Sequence, residues 1–471
     1  MDGLATVPHD GIIENLTYAE ITPGRSASLS RTLTREAIEM FAAASGNLNP
    51  ALLDEAYAQR SPLHGIAGHG LWTGSLVSAV LGTLLPGPGT VTLRQDLHFV
   101  RPVRPGDVIT ATVTARELRG GRGVVLFDCV CTNQDGTAVL AGIAEVIAPR
   151  DKIRCARPLL PETRQVRHDG LRPFLTAAQG GRPLATAVVH PCDADSLLGA
   201  LKAAEAGLID PILIGPRGKI HSVAESVGAD VSDVRVIDVE HSHAAAERAV
   251  AMALAGEAAA VMKGALHTDE LMHAVTRREG GLRTDRRISH AFVIAAPSYH
   301  KPLIVTDAAI NIQPTLEDKA DILKNAIALA HALGIALPKV AILSAVETVT
   351  AKIPTTLEAA VLCKMAERSQ ITGALLDGPL AYDNAISAAA ARTKGIVSEV
   401  AGDPDILLAP NLEAGNMIAK QLTFMADADA AGIVLGARVP VILTSRADGV
   451  ACRMASCAMA ALLARAEGHR R

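Results

Sequence analysis

The chain is poor in aromatic residues, which make up 2% of its 471 residues: one Trp, four Tyr and six Phe. Nucleic-acid grooves that tolerate many sequences stack bases on aromatic rings and carry excess positive charge. Here 45 Lys and Arg residues are outnumbered by 49 Asp and Glu residues, which gives a net charge of −4. Both features argue against a nucleic-acid partner.

Cysteine pairs and long apolar runs are also missing. The seven cysteines, an odd number without a C-x-x-C pair, favour reduced thiols in the cytoplasm. The best apolar run, 249–262, contains Glu257 and is shorter than the ~20 residues that a membrane span needs. The start, Met1-Asp2-Gly3-Leu4, has no basic region before an apolar stretch, so we expect no secretory signal. We therefore expect a soluble, cytoplasmic protein without membrane contact.

The first 150 residues contain short Val- and Thr-rich segments separated by Gly and Pro. Residues 107–114, 124–131 and 138–147, with a turn at 133–136, predict three antiparallel strands. Before them, 65–85 predicts an apolar helix of small residues without a polar face. Such a helix must be covered by other structure, so we expect a sheet curled around it.

After Pro183, short β-branched strands alternate with Ala-rich helices. Repeated βα units imply a mainly parallel sheet covered on both faces. Ligands bind beyond the carboxyl ends of the strands in such folds, so the loops there are where chemistry is expected. Between the two halves, 151–182 is basic and contains several prolines, which predicts a linker.

The loop after the last predicted strand contains Ser445, Arg446 and Asp448 directly before a long helix. Exposed amides at a helix start, a hydroxyl and a guanidinium fork together favour a bound phosphoryl group. A second interpretation stays open at this point. Ser445 could merely cap the helix while Arg446 pairs with Asp448.

A polar segment also follows the strand predicted to end at Leu408. Glu413, Gly415 and Asn416 combine a carboxylate, a glycine and an amide at a strand-to-helix turn. This combination predicts a backbone-lined polar pocket that binds substrate.

Three cations, Lys263, Arg283 and Arg287, lie among residues that the flanking strands are expected to bury. Buried Lys and Arg are rare unless they are paired, which favours substrate binding over a plain surface patch. Four potential metal ligands are close in sequence but lack any known metal-site spacing, so we expect no metal: His267, Asp269, Glu270 and His273.

Ordered motifs extend over this half: D-G-P-L-x-x-D-N-A at 377–385, S-x-V-A-G-D-x-D at 398–405, E-A-G-N at 413–416 and S-R-A-D at 445–448. Residues 183–464 thereby resemble the phosphate acetyl/butyryltransferase family. The resemblance implies a two-lobed α/β fold of the isocitrate-dehydrogenase-like kind, with the site in the cleft, and a dimer. It adds Asp383 and Asn384 to the expected substrate-binding residues.

Family members interconvert a short acyl-CoA plus phosphate with an acyl phosphate plus CoA. The reaction develops negative charge on carbonyl and phosphate oxygens, which fixed cations and hydroxyls stabilise. By resemblance, Ser445 and Arg446 have that role. Some members use an acidic base a few positions beyond the S-R pair, where this sequence has Ala451 and Cys452, so Asp448 is the nearest candidate. No cofactor is expected, since CoA is itself a substrate or product.

The first half resembles the MaoC-like enoyl-CoA hydratases of the hot-dog fold, through residues 44–54, 64–70 and 99–107. Active members place an Asp–His dyad in the first motif, where this chain has Asn47 and Leu52. An amide cannot accept a proton from water, and an alkyl chain cannot exchange one. We therefore expect no working hydratase, although a dyad relocated to Asp54, His64 or His69 stays open.

These observations predict an α+β hot-dog domain over 1–150, a basic linker over 151–182 and a two-lobed α/β phosphate acyltransferase over 183–471. We expect homo-oligomers through both domains, since two modules with different two-fold interfaces can build an assembly larger than a dimer. Two alternatives remain: a bifunctional hydratase and phosphotransacylase, or a CoA-binding scaffold without turnover.

Overall fold

The computed structural model describes residues 11–158, 169–445 and 448–468. These residues form two compact units, one up to residue 158 and one from residue 169 onward. Within 151–182, a short strand at 154–156 pairs inside the first unit, and a helix at 172–178 packs inside the second.

The first unit contains seven strands and four α-helices among its described residues. The strands are β1 (Ile12–Glu14), β2 (Ser26–Thr32), β3 (Val91–Phe99), β4 (Val108–Arg119), β5 (Val124–Thr132), β6 (Ala138–Ile147) and β7 (Arg154–Ala156). The helices are α1 (Arg35–Ser45), α2 (Pro50–Leu53), α3 (Glu55–Arg60) and α4 (Gly70–Thr83), with a 3₁₀ turn at Tyr18–Glu20.

Five of these strands form an antiparallel sheet in the order β2-β4-β5-β6-β3, while β1 pairs with β7. The three predicted strands are confirmed as β4, β5 and β6. Alternation sets the faces, because Ile109, Ala111 and Val113 point into the core and the intervening threonines do not. The predicted turn at 133–136 closes the β5–β6 hairpin, with Gly136 at a φ of 73°.

Helix α4 packs against β2, β3, β4 and β5, as expected for the apolar helix. Leu76, Val77, Val80 and Leu81 are buried in that contact. The covering is incomplete, because the opposite side of α4 is exposed and its Leu71 side chain is 65% accessible.

The second unit contains eleven strands and eleven helices among its described residues. The strands are β8 (Leu184–Val189), β9 (Ile209–Gly215), β10 (Arg235–Asp238), β11 (Ala260–Lys263), β12 (Ser289–Ala295), β13 (Leu303–Thr306), β14 (Lys339–Leu343), β15 (Leu375–Leu380), β16 (Ile406–Leu408), β17 (Asp429–Leu435) and β18 (Val441–Ile442). The helices are α5 (Arg172–Ala178), α6 (Ala194–Glu205), α7 (Arg217–Ser226), α8 (Ser242–Leu254), α9 (Thr268–Thr276), α10 (Leu316–Ala332), α11 (Pro354–Glu367), α12 (Tyr382–Ile386), α13 (Ala388–Thr393), α14 (Leu412–Met425) and α15 (Val450–Gly468).

All eleven strands belong to one sheet, in the order β10-β9-β8-β11-β18-β17-β12-β13-β16-β14-β15. Helices cover both faces: Met262 and Ile442 point toward the side of α6, α10 and α15, and Val261 and Val441 toward the side of α8 and α9. The predicted mainly parallel, two-sided sheet is confirmed.

Three antiparallel steps interrupt this sheet, from β18 to β17, β17 to β12 and β12 to β13. The strands on the two sides of these steps form two parallel blocks, β10-β9-β8-β11-β18 and β13-β16-β14-β15. Because the chain direction reverses three times between them, the two blocks run in opposite directions. The carboxyl ends of β8, β9, β11 and β18 therefore lie at one end of the sheet, and those of β13, β14, β15 and β16 at the other. The loops with chemistry consequently fall into two groups instead of one.

Candidate active site

The Ser445 loop connects β18 to α15. The backbone N–H of Ser445 donates to Oδ2 of Asp448 at 2.6 Å, and the N–H of Asp448 donates back to the Ser445 carbonyl at 3.2 Å. The Ser445 residue is exposed. Arg446 lies outside the described residues, so its predicted role and its alternative pairing with Asp448 stay predictions. The Asp448 carboxylate holds the turn that presents Ser445.

Two buried cations lie beside this loop. Lys263 ends β11 and is 1% exposed, and Arg453 in the first turns of α15 is 0% exposed. Because β11 and β18 are parallel neighbours, their carboxyl ends lie side by side. The expectation that Lys263 is buried is correct, whereas Arg453 was missed. The only sequence signal for Arg453 was a lone charge among small apolar residues of the helix.

A second group centres on His290, which is 0% exposed in β12. Its backbone N–H donates to Oδ2 of Asp307 at 3.2 Å, and its Nε2 lies 3.5 Å from the Leu443 carbonyl oxygen. Burial lowers the pKa of the imidazole, while the charges of Asp307 and Asp448 oppose that shift. His290 thus contacts the Asp307 loop through its backbone N–H and the Ser445 loop through its imidazole.

Asp307 follows β13 and organises its own loop. Its carboxylate accepts the backbone N–H groups of Ala309 and Ile310 at 2.8 and 2.9 Å and the side-chain amide of Asn311. Asn311 Oδ1 in turn accepts from Nε of Arg287 at 2.6 Å. Sequence reasoning missed Asp307 and Asn311, because no motif marks them.

The predicted cations of the 281–290 segment are exposed, which contradicts the expectation that the flanking strands bury them. The loops before β12 and after β17 leave the sheet there. Arg287 forms an ion pair with Asp318 at 3.4 Å, besides its bond to Asn311. Arg283 lines an open cleft of about 510 Å³ together with Arg286 and Arg438. Arg283 is therefore open to a soluble anion in the cleft, whereas the Arg287 guanidinium is engaged by Asp318 and Asn311.

The start of α14 packs onto the Asp307 loop. Gly415 is buried so close to this loop that a Cβ there would lie 2.1 Å from the Asp307 carbonyl oxygen. Asn416 Nδ2 donates to the Ala308 carbonyl at 3.0 Å, and Glu413 is exposed. Gly415 and Asn416 therefore hold two loops together, and Glu413 faces outward from the same turn.

Asp383 and Asn384 form a third cluster beyond β15. Lys394 Nζ bridges Asp383 at 3.1 Å and Glu347 at 3.2 Å, and its hydrogen bond lowers the pKa of Asp383. Asn384 is fully buried and donates Nδ2 to Glu347 Oε2 at 3.2 Å, while its Oδ1 has no partner among the described residues. No hydrogen bond or ion pair between described residues links this cluster to either of the first two.

In the first unit, Asn47 is exposed, and Leu52 is buried within the short helix α2. Asn47 Oδ1 accepts the N–H of Asn49, and Nδ2 lies 3.2 Å from Nδ1 of His69. Burial lowers the pKa of His69. Asp54, another candidate for a relocated dyad, accepts the Tyr57 amide as the cap of α3.

No group of three or more His, Cys, Asp or Glu side chains is placed to hold a metal ion in the part of the chain that the structure describes. Across that same part, no helix is long and apolar enough to cross a membrane. The seven cysteines are all free thiols.

Two family models match the chain, one in each unit. The model described as phosphate acetyl/butaryl transferase matches residues 242–461, and the MaoC-like domain model matches residues 19–128. The α/β unit and the antiparallel sheet around α4 are thus a phosphotransacylase fold and a MaoC-like hot-dog fold, and both resemblances are confirmed.

Relatives agree with these models. A phosphate acetyltransferase of Rhizobium meliloti is 61% identical over 62% of this chain and 92% of its own length. A phosphate butyryltransferase of Clostridium acetobutylicum is 44% identical over 55% of this chain and 86% of its own. The crystal structure of a branched-chain phosphotransacylase from Enterococcus faecalis V583 matches with a TM-score of 0.53 at 27% identity, over 60% of this chain and 99% of that one.

The fold and these matches define an acyltransferase with an added hot-dog unit. The chain belongs to the phosphate acetyl/butyryltransferase family.

Proposed function

We propose that the second unit converts a short acyl-CoA plus inorganic phosphate into an acyl phosphate plus CoA, and the reverse. The observation that carries the proposal is the 61% identity with a phosphate acetyltransferase over 92% of that enzyme. The exposed Ser445 loop beside two buried cations supports it, because anions are stabilised by fixed positive charge.

In the forward direction, a phosphate oxygen attacks the thioester carbonyl, and the C–S bond breaks as the thiolate of CoA leaves. The Ser445 hydroxyl and the Arg446 guanidinium are proposed to stabilise the charged oxygens of phosphate and of the tetrahedral intermediate. In reverse, Asp448 is proposed to accept the proton of the CoA thiol. Cys452 is unsuited to that role, because burial raises the pKa of its thiol.

The other predicted residues are proposed to bind substrate, each from a different position. Arg283, which lines the open cleft with Arg286 and Arg438, suits the phosphates of CoA. The remaining proposed binding residues are Lys263, Arg287, Asp383, Asn384, Glu413, Gly415 and Asn416. No cofactor is required, since attack, charge stabilisation and proton transfer can all come from side chains and substrates.

The test measures release of free CoA thiol from acetyl-, propionyl- and butyryl-CoA, with and without phosphate. We expect release that depends on phosphate, with formation of the matching acyl phosphate. Arg446→Ala should lower kcat/KM by ~10²-fold or more, since one charged donor to a developing oxyanion has that value. Absence of phosphate-dependent release would instead favour a CoA-binding scaffold, and full activity of Arg446→Ala would exclude the proposed anion site.

We propose that the first unit is a hydratase-like domain without hydratase activity, which serves assembly or CoA binding. Asn47 and Leu52 supply no acid or base, and the neighbouring His69 is buried with a lowered pKa. Purified protein should therefore not hydrate crotonyl-CoA above background. Clear turnover would establish the bifunctional alternative.

Assembly through both units is proposed from two exposed apolar surfaces. Strand β3 forms an edge of its sheet, with Val91, Leu93 and Phe99 each at least half exposed. In the second unit, Met417 and Phe424 are 66% and 71% exposed on α14. Unpaired edges and apolar patches of this kind are commonly covered in oligomers. Light scattering should show more than a dimer for the full chain and a smaller assembly after deletion of residues 1–150.

A cytoplasmic location is proposed from the free thiols. Protein alkylated in denaturant during lysis should carry seven blocked thiols. The net charge of −4 supports the absence of a nucleic-acid partner.

A further inference from the structure

Arg453 is a fully buried arginine whose partners all lie around the Ser445 loop. Its Nη1 donates to Oγ1 of Thr444 at 2.9 Å and to the Lys263 carbonyl at 3.4 Å, and its Nη2 donates to the Ser445 carbonyl at 3.3 Å. One guanidinium therefore ties the end of β18 to the end of β11.

Within the part of the chain that the structure describes, no ion pair neutralises the charge of Arg453. Its hydrogen bonds go to neutral carbonyl and hydroxyl oxygens, its Nε is unpartnered, and no carboxylate of the described residues pairs with it. An uncompensated buried charge is costly, and a residue kept only to fill space would be apolar. The positive charge can stabilise an anion that binds at the exposed Ser445, because the guanidinium group donates a hydrogen bond to the Ser445 carbonyl.

We infer that Arg453 is a positioning residue for phosphate. Its guanidinium group fixes the Ser445 backbone by a hydrogen bond, and its positive charge, which no carboxylate of the described residues pairs, favours binding of an anion at that loop. The inference rests on the proposed transacylase function of the second unit. It assigns no contact between Arg453 and substrate, since the side chain is enclosed.

Gly199 of α6 offers a way to disturb Arg453 without touching the loop. A Cβ at Gly199 would lie 2.7 Å from Cδ and 2.9 Å from Cβ of Arg453. Since alanine is intrinsically better than glycine in a helix interior, Gly199→Ala does not weaken α6 by propensity. Its effect should come through the displaced arginine. Gly218→Ala in α7 is the matched control, because nothing lies within 4 Å of that added Cβ.

The experiment compares Arg453→Met, Arg453→Lys and Gly199→Ala with the wild-type enzyme. Arg465→Met on the same helix is a second control, since Arg465 donates to the Ala177 carbonyl of α5 and lies away from Ser445. Thermal melting establishes that each variant is folded. Steady-state rates then give separate KM values for phosphate and for acetyl-CoA.

We expect Arg453→Met to raise the KM for phosphate by about tenfold or more, with a smaller change in the KM for acetyl-CoA. Arg453→Lys should recover part of the loss by keeping the charge, and Gly199→Ala should shift the same constant in the same direction. A purely structural role would lower the melting temperature and the active fraction without moving the phosphate KM.

Folded Arg453→Lys and Gly199→Ala enzymes with the wild-type phosphate KM would overturn the inference, even where Arg453→Met does not fold. That result differs from failure of the proposed function. Wild-type enzyme without phosphate-dependent CoA release would refute the function and this role together.

Discussion

Gly415→Ala tests whether the contact between α14 and the Asp307 loop is required for catalysis. The added Cβ would lie 2.1 Å from the Asp307 carbonyl oxygen and 3.2 Å from Cα of Ala308. Since C···O contacts in proteins lie at about 3.3–3.6 Å, the start of α14 must move away by roughly 1 Å. The obstacle is backbone, so no side-chain rotation relieves it.

The same movement breaks a second contact. Asn416 Nδ2 lies 3.0 Å from the Ala308 carbonyl oxygen, and a further ~1 Å takes it beyond hydrogen-bond distance. Overpacking costs about 1–3 kcal/mol and the lost hydrogen bond about 1 kcal/mol, so the unfolding free energy should fall by roughly 2–4 kcal/mol. A misplacement of about 1 Å in a substrate-positioning element can lower the rate about 10²-fold.

The assay is kcat/KM for CoA release from acetyl-CoA, measured alongside urea unfolding. We expect kcat/KM to fall about 10²-fold in folded enzyme. Gly218→Ala, with open space around its Cβ, should leave activity unchanged and stability equal or slightly higher. Folded Gly415→Ala enzyme within about threefold of wild-type kcat/KM would refute the placement of α14 in the site.

Three further outcomes are expected. Asn47→Asp combined with Leu52→His should raise the rate of crotonyl-CoA hydration about 10²-fold or more, and neither change alone should do so. A double variant without hydratase activity would mean that the unit lacks more than the Asp–His dyad. Burial lowers the pKa of His290 in the folded state, so the unfolded state binds more protons at acidic pH. The unfolding free energy should therefore fall as the pH drops below about 6.5, by up to about 1.4 kcal/mol per pH unit. Urea melts of His290→Gln should show a shallower slope than wild type, and equal slopes would contradict this origin. Asn384→Leu removes a buried amide whose Oδ1 is unpartnered among the described residues and whose Nδ2 donates to Glu347, so the unfolding free energy should fall by only about 1 kcal/mol while kcat/KM falls about tenfold or more; unchanged kcat/KM would remove Asn384 from the site.

Strands and helices with a clear period were predictable from the sequence. The alternation in β4 and β5 and the apolar α4 placed the sheet and its helix in the first unit. In the second unit, β15 was not predicted as a strand, because it contains Gly378 and Pro379. An edge position explains how it tolerates the proline, since one side of an edge strand needs no ladder bonds.

Residues of the candidate site were predictable only where they belong to one continuous loop motif. Ser445 and Asp448 lie in one turn, because they are close in sequence. Asp307 and His290 were not identified as neighbours, since one follows β13, the other lies in β12, and they meet because those strands pair. Arg453 was not placed beside Ser445, because its contacts at the ends of β11 and β18 depend on how α15 packs on the sheet.

The sequence by itself determined the class of each unit and the acyltransferase family, because these depend on which residue types occupy a motif. Tertiary structure alone decided which charges are buried. Lys263 and Arg453 are enclosed at the ends of β11 and β18, whereas Arg283 is exposed. The physical reason is that local patterns fix side-chain periodicity, but the environment of a charge depends on residues distant in the chain.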